Sequence, residues 1–171
     1  WLKQDAAQST CMWKILSIHQ PPYYTNAKGG SERFHEQIPA AAEAAGIDVV
    51  FSGHDHSYAR TPALRNGEES DNGTVYFICG DLGEKSRDQN YAISSDFDYA
   101  YCEQGYEGLV LYVTANDKTM TVSAYDSKDG RLVDSAVLQS RCARGHQLTT
   151  YRDGKSVCAV CGKAVDVKAA Q

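Results

Sequence analysis

The sequence has no long apolar run and no concentration of positive charge. None of its apolar stretches approaches the roughly 18 residues that a membrane-spanning helix needs. Lysine and arginine total 17 against 22 acidic residues, for a net charge of −5, so neither nucleic acid nor an anionic membrane surface is expected as a partner. The sequence also lacks an initiator methionine and a signal peptide, and its start at Trp1 indicates part of a longer chain.

What the chain does contain is enough apolar residues for one core. Of its 171 residues, 42% are hydrophobic and 23% are charged, which are ordinary values for a soluble domain. The chain has six cysteines. Cys11, Cys79 and Cys102 are far apart, whereas the other three cluster near the C-terminus. An even number permits disulfides but this spacing does not require them, so the redox compartment stays open.

Hydrophobic periodicity predicts alternating strands and helices in the first half of the chain. The apolar run Met12–Ile18 predicts a buried strand, which ends at a loop rich in Pro and Gly. Ser31 and Gly46 are suitable caps for a helix that Pro39 should break or kink. The run "IDVVF" at 47–51 predicts a second buried strand. The order strand, helix, strand predicts a βαβ unit with parallel strands.

The second half reads as further strands, so the fold class is α/β (α+β). "TVYFIC" at 74–79 predicts a third strand, and 81–105 is expected to be an irregular surface excursion. The runs "GLVLYVTA", "TMTVSAYD" and "RLVDSAVL" are separated by the turns "NDK" and "SKDG". Together they predict an antiparallel meander.

Histidines follow the first two predicted strands. His19 ends the first strand, and His54 and His56 follow the second in "FSGHDHSYART". Ligands collect at the carboxyl ends of strands in open α/β sheets, and imidazole suits Zn, Fe and Mn. The one-residue gap lets the two rings of "HDH" face different sides of a turn. Spacing alone leaves two interpretations open, metal ligands or polar residues satisfied within loops.

The segments "SIHQPPYY" and "GIDVVFSGHDHSYART" resemble the last two metal-binding motifs of the calcineurin-like metallophosphoesterases. Within that family they are most similar to the purple acid phosphatase branch, which has a Gly-His-x-His-x-Tyr-x-Arg run. "WLKQD" and "GTVYFICGDLG" are also similar to family segments, so the resemblance extends from Trp1 to about Leu138. It implies the C-terminal portion of the metallophosphoesterase β-sandwich, with flanking helices and a final antiparallel meander.

The resemblance also implies a dinuclear centre of Fe, Mn or Zn ions. By this likeness His19 and His54 bind one metal and His56 binds the other, while Tyr58 and Arg60 have local structural roles. The implied reaction is hydrolysis of a phosphoester. A metal-activated hydroxide attacks phosphorus in line, and the two cations offset the developing charge.

The carboxylate ligands of the family have no counterpart in this chain, because they precede the position of His19. Asp81 in "GDLGE" follows the double histidine and is expected in a turn. His35 is expected on a solvated helix face, and Asp55 as a carboxylate that stabilises the turn or orients a ligand. We therefore expect a parent hydrolase acting on phosphoesters and an inactive chain in isolation. The expected partner is the N-terminal half of the same domain.

The C-terminal residues carry a separate pattern, C-x3-H followed by C-x2-C, formed by Cys142, His146, Cys158 and Cys161. "CAVCGK" has the tight spacing of zinc ribbons, and "TTYRDGKSV" predicts a hairpin too small to order itself without a metal or a disulfide. Structural zinc is the favoured interpretation. A disulfide such as Cys158–Cys161 and a disordered tail stay open. The pattern divides the chain into residues 1–140, the metallophosphoesterase part, and 141–171, a zinc-ribbon-like extension.

The extension resembles small Cys/His modules of bacterial surface and secreted proteins, which favours a secreted or cell-surface bacterial parent. It also supports an alternative function, a non-catalytic metal-binding or interaction module. In that case the extension carries the function and "GHDH" is a relic.

Overall fold

The computed structural model describes residues 1–26, 30–82, 95, 97–103, 108–142, 148–152, 155–158 and 164–165. The helices among them are α1 (Leu2–Gln8) and α2 (Glu32–Ala45). The strands are β1 (Ile15–Ile18), β2 (Val49–Ser52), β3 (Tyr58–Arg60), β4 (Leu64–Arg65), β5 (Glu68–Glu69), β6 (Val75–Cys79), β7 (Tyr101–Glu103), β8 (Leu109–Ala115), β9 (Thr119–Asp126), β10 (Leu132–Gln139), β11 (Leu148–Arg152), β12 (Lys155–Cys158) and β13 (Ala164–Val165).

The larger sheet has the strand order β1-β2-β6-β3-β7. Strands β1, β2 and β6 run parallel, and α2 connects the first two, which confirms the predicted βαβ unit. Strand β3 pairs antiparallel with β6 and β7. The expectation that 81–105 is irregular throughout is wrong at β7, because three residues give too short a pattern to recognise without their partner β3.

A second sheet, β10-β9-β8, is the predicted antiparallel meander. Its inner face packs against one face of the larger sheet, and apolar side chains from both sheets form a common core. The core residues are Val49, Tyr58, Val75, Phe77, Leu109, Met120, Val122, Ala124 and Ala136. On the other face of the larger sheet, α1 and α2 contribute Ala6, Ala42 and Ala45 to a second cluster. The result is two packed sheets with helices on one outer side.

Strand β1 differs from its prediction as a buried strand. It begins at Ile15, and none of its four residues is buried; Ile15 itself is 48% exposed. The reason is its position at the edge of the sheet, where β2 is its one neighbour among the described strands. An apolar run alone does not distinguish an edge strand from a central one.

Helix α2 has the predicted ends. Gly46 adopts φ 69° and ψ 38°, and its N–H donates to the carbonyls of Ala42 and Glu43. Ser31 is the residue before the first turn, although its side chain makes no capping hydrogen bond. Of the two effects expected of Pro39, a break or a kink, the break does not occur, since α2 continues through Pro39 to Ala45. One lost backbone hydrogen bond is tolerated here because Pro39 is buried against the core and good helix formers follow it.

Candidate functional site

The parallel pairing of β1 and β2 places two histidine-bearing loops side by side. Ile18 pairs with Ser52 at the ends of the strands, so His19 and Gly53 are the next residues at the same edge. The Gly53 N–H donates to the His19 carbonyl over 3.0 Å, which extends the strand pairing by one residue. His54 therefore begins its turn directly beside His19.

The imidazoles of His19 and His54 are in contact. His54 Nδ1 lies 3.3 Å from His19 Nε2, and the ring centroids are 5.2 Å apart with the planes at 82°. This confirms the prediction that the two side chains approach within ligand distance. Two nitrogens bound tetrahedrally to one metal at 2.0–2.1 Å lie about 3.3 to 3.4 Å apart. A hydrogen bond between a donor and an acceptor ring nitrogen has a similar length.

His54 has an unusual backbone conformation, with φ 70°. Left-handed geometry costs a non-glycine residue about 1–3 kcal/mol and is concentrated at functional sites. It turns the chain sharply between His54 and His56. Among the described residues, no three His, Cys, Asp or Glu side chains lie close enough to hold one metal ion. The structure thus pairs His19 with His54 and does not add His56 to them.

Asp55 stabilises this turn from its buried side. Its carboxylate is fully buried, and its Oδ2 accepts hydrogen bonds from the Thr25 N–H at 2.6 Å, the Thr25 hydroxyl at 2.9 Å and the Asn26 N–H at 3.3 Å. The Thr25 hydroxyl also contacts that of Ser57. The expected turn-stabilising role of Asp55 is confirmed. Its partner Thr25 had no signal in the sequence, because 30 residues separate the two.

Tyr58 and Arg60 point away from the histidines and bind Asp134 on the second sheet. The Tyr58 hydroxyl donates to Asp134 Oδ2 at 2.9 Å, and Arg60 Nε donates to the same oxygen at 2.9 Å. Partial burial opposes ionisation of Asp134, but the hydrogen bonds from Arg60 and Tyr58 outweigh it and hold the pKa of Asp134 below its usual range. The structural role expected for both residues is confirmed.

His35 is not on a solvated helix face, and that expectation is wrong. Its ring is partly buried and stacks against Phe97, with centroids 4.7 Å apart, and against Tyr23 at 5.0 Å. Its Nδ1 lies 3.1 Å from the Pro22 carbonyl. The aromatic residues that cover it come from distant parts of the chain, so the pattern of α2 alone could not indicate their presence.

Three cysteines lie outside any predicted metal pattern. Cys11, Cys79 and Cys102 form no disulfide within the described part of the chain. Burial raises the pKa of the Cys79 thiol to about 11, and burial together with Asp55 raises that of Cys102 to about 11. Both thiols are therefore harder to ionise than an ordinary cysteine side chain.

The residues of the C-terminal pattern are described in part. Cys142 and Cys158 are buried, with their Sγ atoms 3.7 Å apart. His146 and Cys161 lie outside the described residues. Strands β11 and β12 pair antiparallel, which confirms the predicted hairpin.

Two further features bear on where a ligand could bind. A groove of about 1090 Å³ runs beside β10 and is lined by Trp13, Asp48 and Arg60, but none of the predicted histidine ligands lines it. The histidine pair instead opens to the surface, where His19 is exposed. Neither helix in the described ranges has the length and apolar content of a membrane span.

Comparison with known proteins finds relatives over half of the chain. Purple acid phosphatase 18 of Arabidopsis thaliana is 35% identical over 91 residues, which are 50% of this chain and 21% of that relative. Purple acid phosphatase 15 of the same organism is 35% identical over 92 residues, 51% of this chain and 17% of the relative. The chain thus spans about a fifth of the length of these relatives. No protein-family model matches it.

Solved structures share the fold over a larger part of the chain. Purple acid phosphatase PPD1 from yellow lupin (Lupinus luteus) seeds superposes with a TM-score of 0.64 at 16% identity, covering 81% of this chain and 27% of that one. GAP50, the anchor in the inner membrane complex of Plasmodium, superposes with a TM-score of 0.61 at 17% identity, covering 82% of this chain and 41% of GAP50. By sequence over half its length and by fold over four-fifths, this chain is purple acid phosphatase-like and resembles part of a metallophosphoesterase.

Proposed function

We propose that this chain supplies the last histidine ligands of a dinuclear-metal phosphoesterase. His19 and His54 bind one metal ion, and His56 binds the other. The observation that carries the proposal is the 3.3 Å separation of His54 Nδ1 and His19 Nε2 at the carboxyl ends of adjacent parallel strands. Fe, Mn and Zn all accept imidazole nitrogen, so the donor set fits the metals of this enzyme class.

The residues of this chain act by holding the two imidazoles in place. The Gly53 N–H fixes the His19 backbone, and Asp55 fixes the turn that carries His54 and His56. Bound metal ions of this kind supply a hydroxide nucleophile near neutral pH and stabilise charge at phosphorus. Contacts that orient the ligands matter for this chemistry because they set the direction and the basicity of the ligating nitrogens.

The carboxylate ligands come from outside these 171 residues. Bridging carboxylates are absent from the described surroundings of His19 and His54, and the relatives contain about four-fifths of their length beyond the matched segment. The partner is the N-terminal half of the same domain. The N-terminal half pairs with strand β1. This strand lies at the edge of its sheet, Ile15 is exposed, and no described strand pairs with its outer backbone edge.

A second function has one observation in its favour. GAP50 has a similar fold and is an anchor protein, so this architecture also occurs in a protein whose described role is anchoring. By analogy the chain would be a non-catalytic metal-binding or interaction module. In either case residues 1–140 form the metallophosphoesterase part and 141–171 a separate Cys/His extension. We place the protein outside the cell or on its surface, although the Arabidopsis thaliana relatives lend no support to a bacterial origin.

The decisive experiment measures activity and metal content together in the complete protein. His54→Ala should lower turnover of an aryl phosphate by at least about 100-fold and remove about one metal ion per chain, because it deletes a direct ligand. His35→Gln is the matched control, since its ring lies against Phe97 rather than His19. Unchanged turnover in His54→Ala would refute the phosphoesterase proposal. An inactive wild-type protein that still loses metal in His54→Ala would favour the binding module.

A further inference from the structure

The two described cysteines of the extension have the separation of metal-bound thiolates. The Sγ atoms of Cys142 and Cys158 are 3.7 Å apart, and the residues are 8% and 1% exposed. Two sulfurs bound tetrahedrally to zinc at 2.3 Å lie about 3.8 Å apart. A disulfide would need them at about 2.05 Å. The distance therefore agrees with a shared metal ion rather than a covalent bond.

Two strands of the structure determine where these two cysteines lie. Cys158 ends β12 and pairs with Leu148 in the hairpin, so its position relative to the start of β11 is fixed. Cys142 lies just beyond β10 of the meander. The sequence supplies two more ligands close by. In the sequence His146 is four residues after Cys142 and Cys161 is three after Cys158, and both lie outside the described residues.

We propose that Cys142, His146, Cys158 and Cys161 bind one structural zinc ion. Three thiolates and one imidazole complete a tetrahedral set, which leaves no coordination position for a substrate. The site is thus chemically distinct from the histidine pair, which has no sulfur ligand and needs open positions. It is independent of the phosphoesterase proposal and stands if that proposal fails.

The zinc site also attaches the extension to the beginning of the chain. Met12 packs against the Cys142–Cys158 pair. The neighbouring Arg141 donates from Nη2 to the Ile47 carbonyl at 2.6 Å, and its Nε lies 2.9 Å from Asp48 Oδ1. The other Asp48 oxygen accepts from the Lys14 N–H at 2.8 Å. The metal therefore fixes a segment whose first residue, Arg141, already contacts Ile47 and Asp48 just before β2. Asp48 in turn connects this contact to Lys14, the residue before β1.

Cobalt substitution distinguishes this site from the histidine site. Cobalt(II) bound by thiolates gives a sulfur-to-metal charge-transfer band, which imidazole and carboxylate ligands do not give. We expect the band in the wild-type chain, a weakened band and loss of about one zinc ion per chain in Cys158→Ser, and neither change in Cys11→Ser. Cys11 is the control because it is an exposed cysteine outside the pattern. Absence of the band from the wild-type protein, with no zinc lost in Cys158→Ser, overturns the proposal.

Hydrogen exchange on the wild-type chain tests the same site without any substitution. A zinc chelator should increase exchange in 141–165 and leave β8 to β10 protected, and added zinc should restore protection, because metal binding supplies the folding free energy of so small a unit. A reductant without chelator should change nothing. Loss of protection with the reductant but not with the chelator would show a disulfide-linked extension and would overturn the zinc site.

Discussion

At the scale of single residues, the position of the histidine pair depends on a buried carboxylate between the two histidines of the turn. Asp55 lies between His54 and His56, yet its carboxylate points inward and collects the donors of Thr25 and Asn26. This ties the loop after His19 to the turn that carries His54. The two loops therefore form one unit, and disturbing their buried connection should disturb both.

The first prediction concerns this connection. Asp55→Ala leaves the N–H and hydroxyl of Thr25 buried without their acceptor, so we expect a loss of about 3 kcal/mol in the free energy of unfolding. Urea denaturation followed by circular dichroism measures it. Asp98→Ala removes an exposed carboxylate and should change stability by less than about 0.5 kcal/mol. Equal losses in the two variants would show that the Asp55 hydrogen bonds contribute nothing.

At the scale of elements, the two sheets are joined by a polar contact as well as by their apolar core. Tyr58 and Arg60 reach from β3 to Asp134 on β10, and burial first and Asp134 second raise the pKa of Tyr58 well above its usual value. The side chains of Arg60 and Asp134 are 18% and 9% exposed, so solvent screens this ion pair less than one at the surface. The cluster fixes the angle between β3 and the meander.

The second prediction follows from the lowered pKa of Asp134. A carboxyl group whose pKa is lower in the folded state stabilises the fold above its unfolded value of about 3.9, and this contribution disappears as the pH falls through the folded pKa. Asp134→Asn should therefore cost about 2 kcal/mol at pH 7, and the cost should shrink below about pH 4. Urea denaturation of both proteins at each pH measures the difference. A destabilisation by Asp134→Asn that became larger at acidic pH would show that folding raises the pKa of Asp134 rather than lowers it.

At the scale of the whole molecule, the proposed function divides the metal site between this chain and residues outside it. We expect residues 1–171 alone to show no metal-dependent turnover of an aryl phosphate, since imidazoles without a bridging carboxylate do not hold two metal ions together. Mixing the chain with the separately expressed N-terminal half should restore turnover, and His54→Ala in this chain should abolish the restoration. Turnover by the chain alone, lost in His54→Ala, would show that its own residues suffice.

The sequence predicts the parts of the fold that depend on residues close to one another in the chain. The unit from β1 through α2 to β2 and the meander from β8 to β10 follow from periodicity, caps and turns, and the predicted parallel strands place His19 and His54 at the same edge of the sheet. The sequence does not reveal β7, the edge position of β1, the aromatic cover of His35 or the partner of Asp55. Each of these depends on a contact between residues at least 12 positions apart, for which local patterns carry no signal.

The left-handed backbone of His54 has a consequence for how this sequence can change over time. Glycine or asparagine adopts φ 70° more easily than histidine, so either replacement should make the chain more stable while removing a proposed metal ligand. Selection for stability alone would therefore discard this histidine early. A lineage without metal binding would be expected to carry glycine here, and under the proposed function this is a position where stability and metal binding favour different residues.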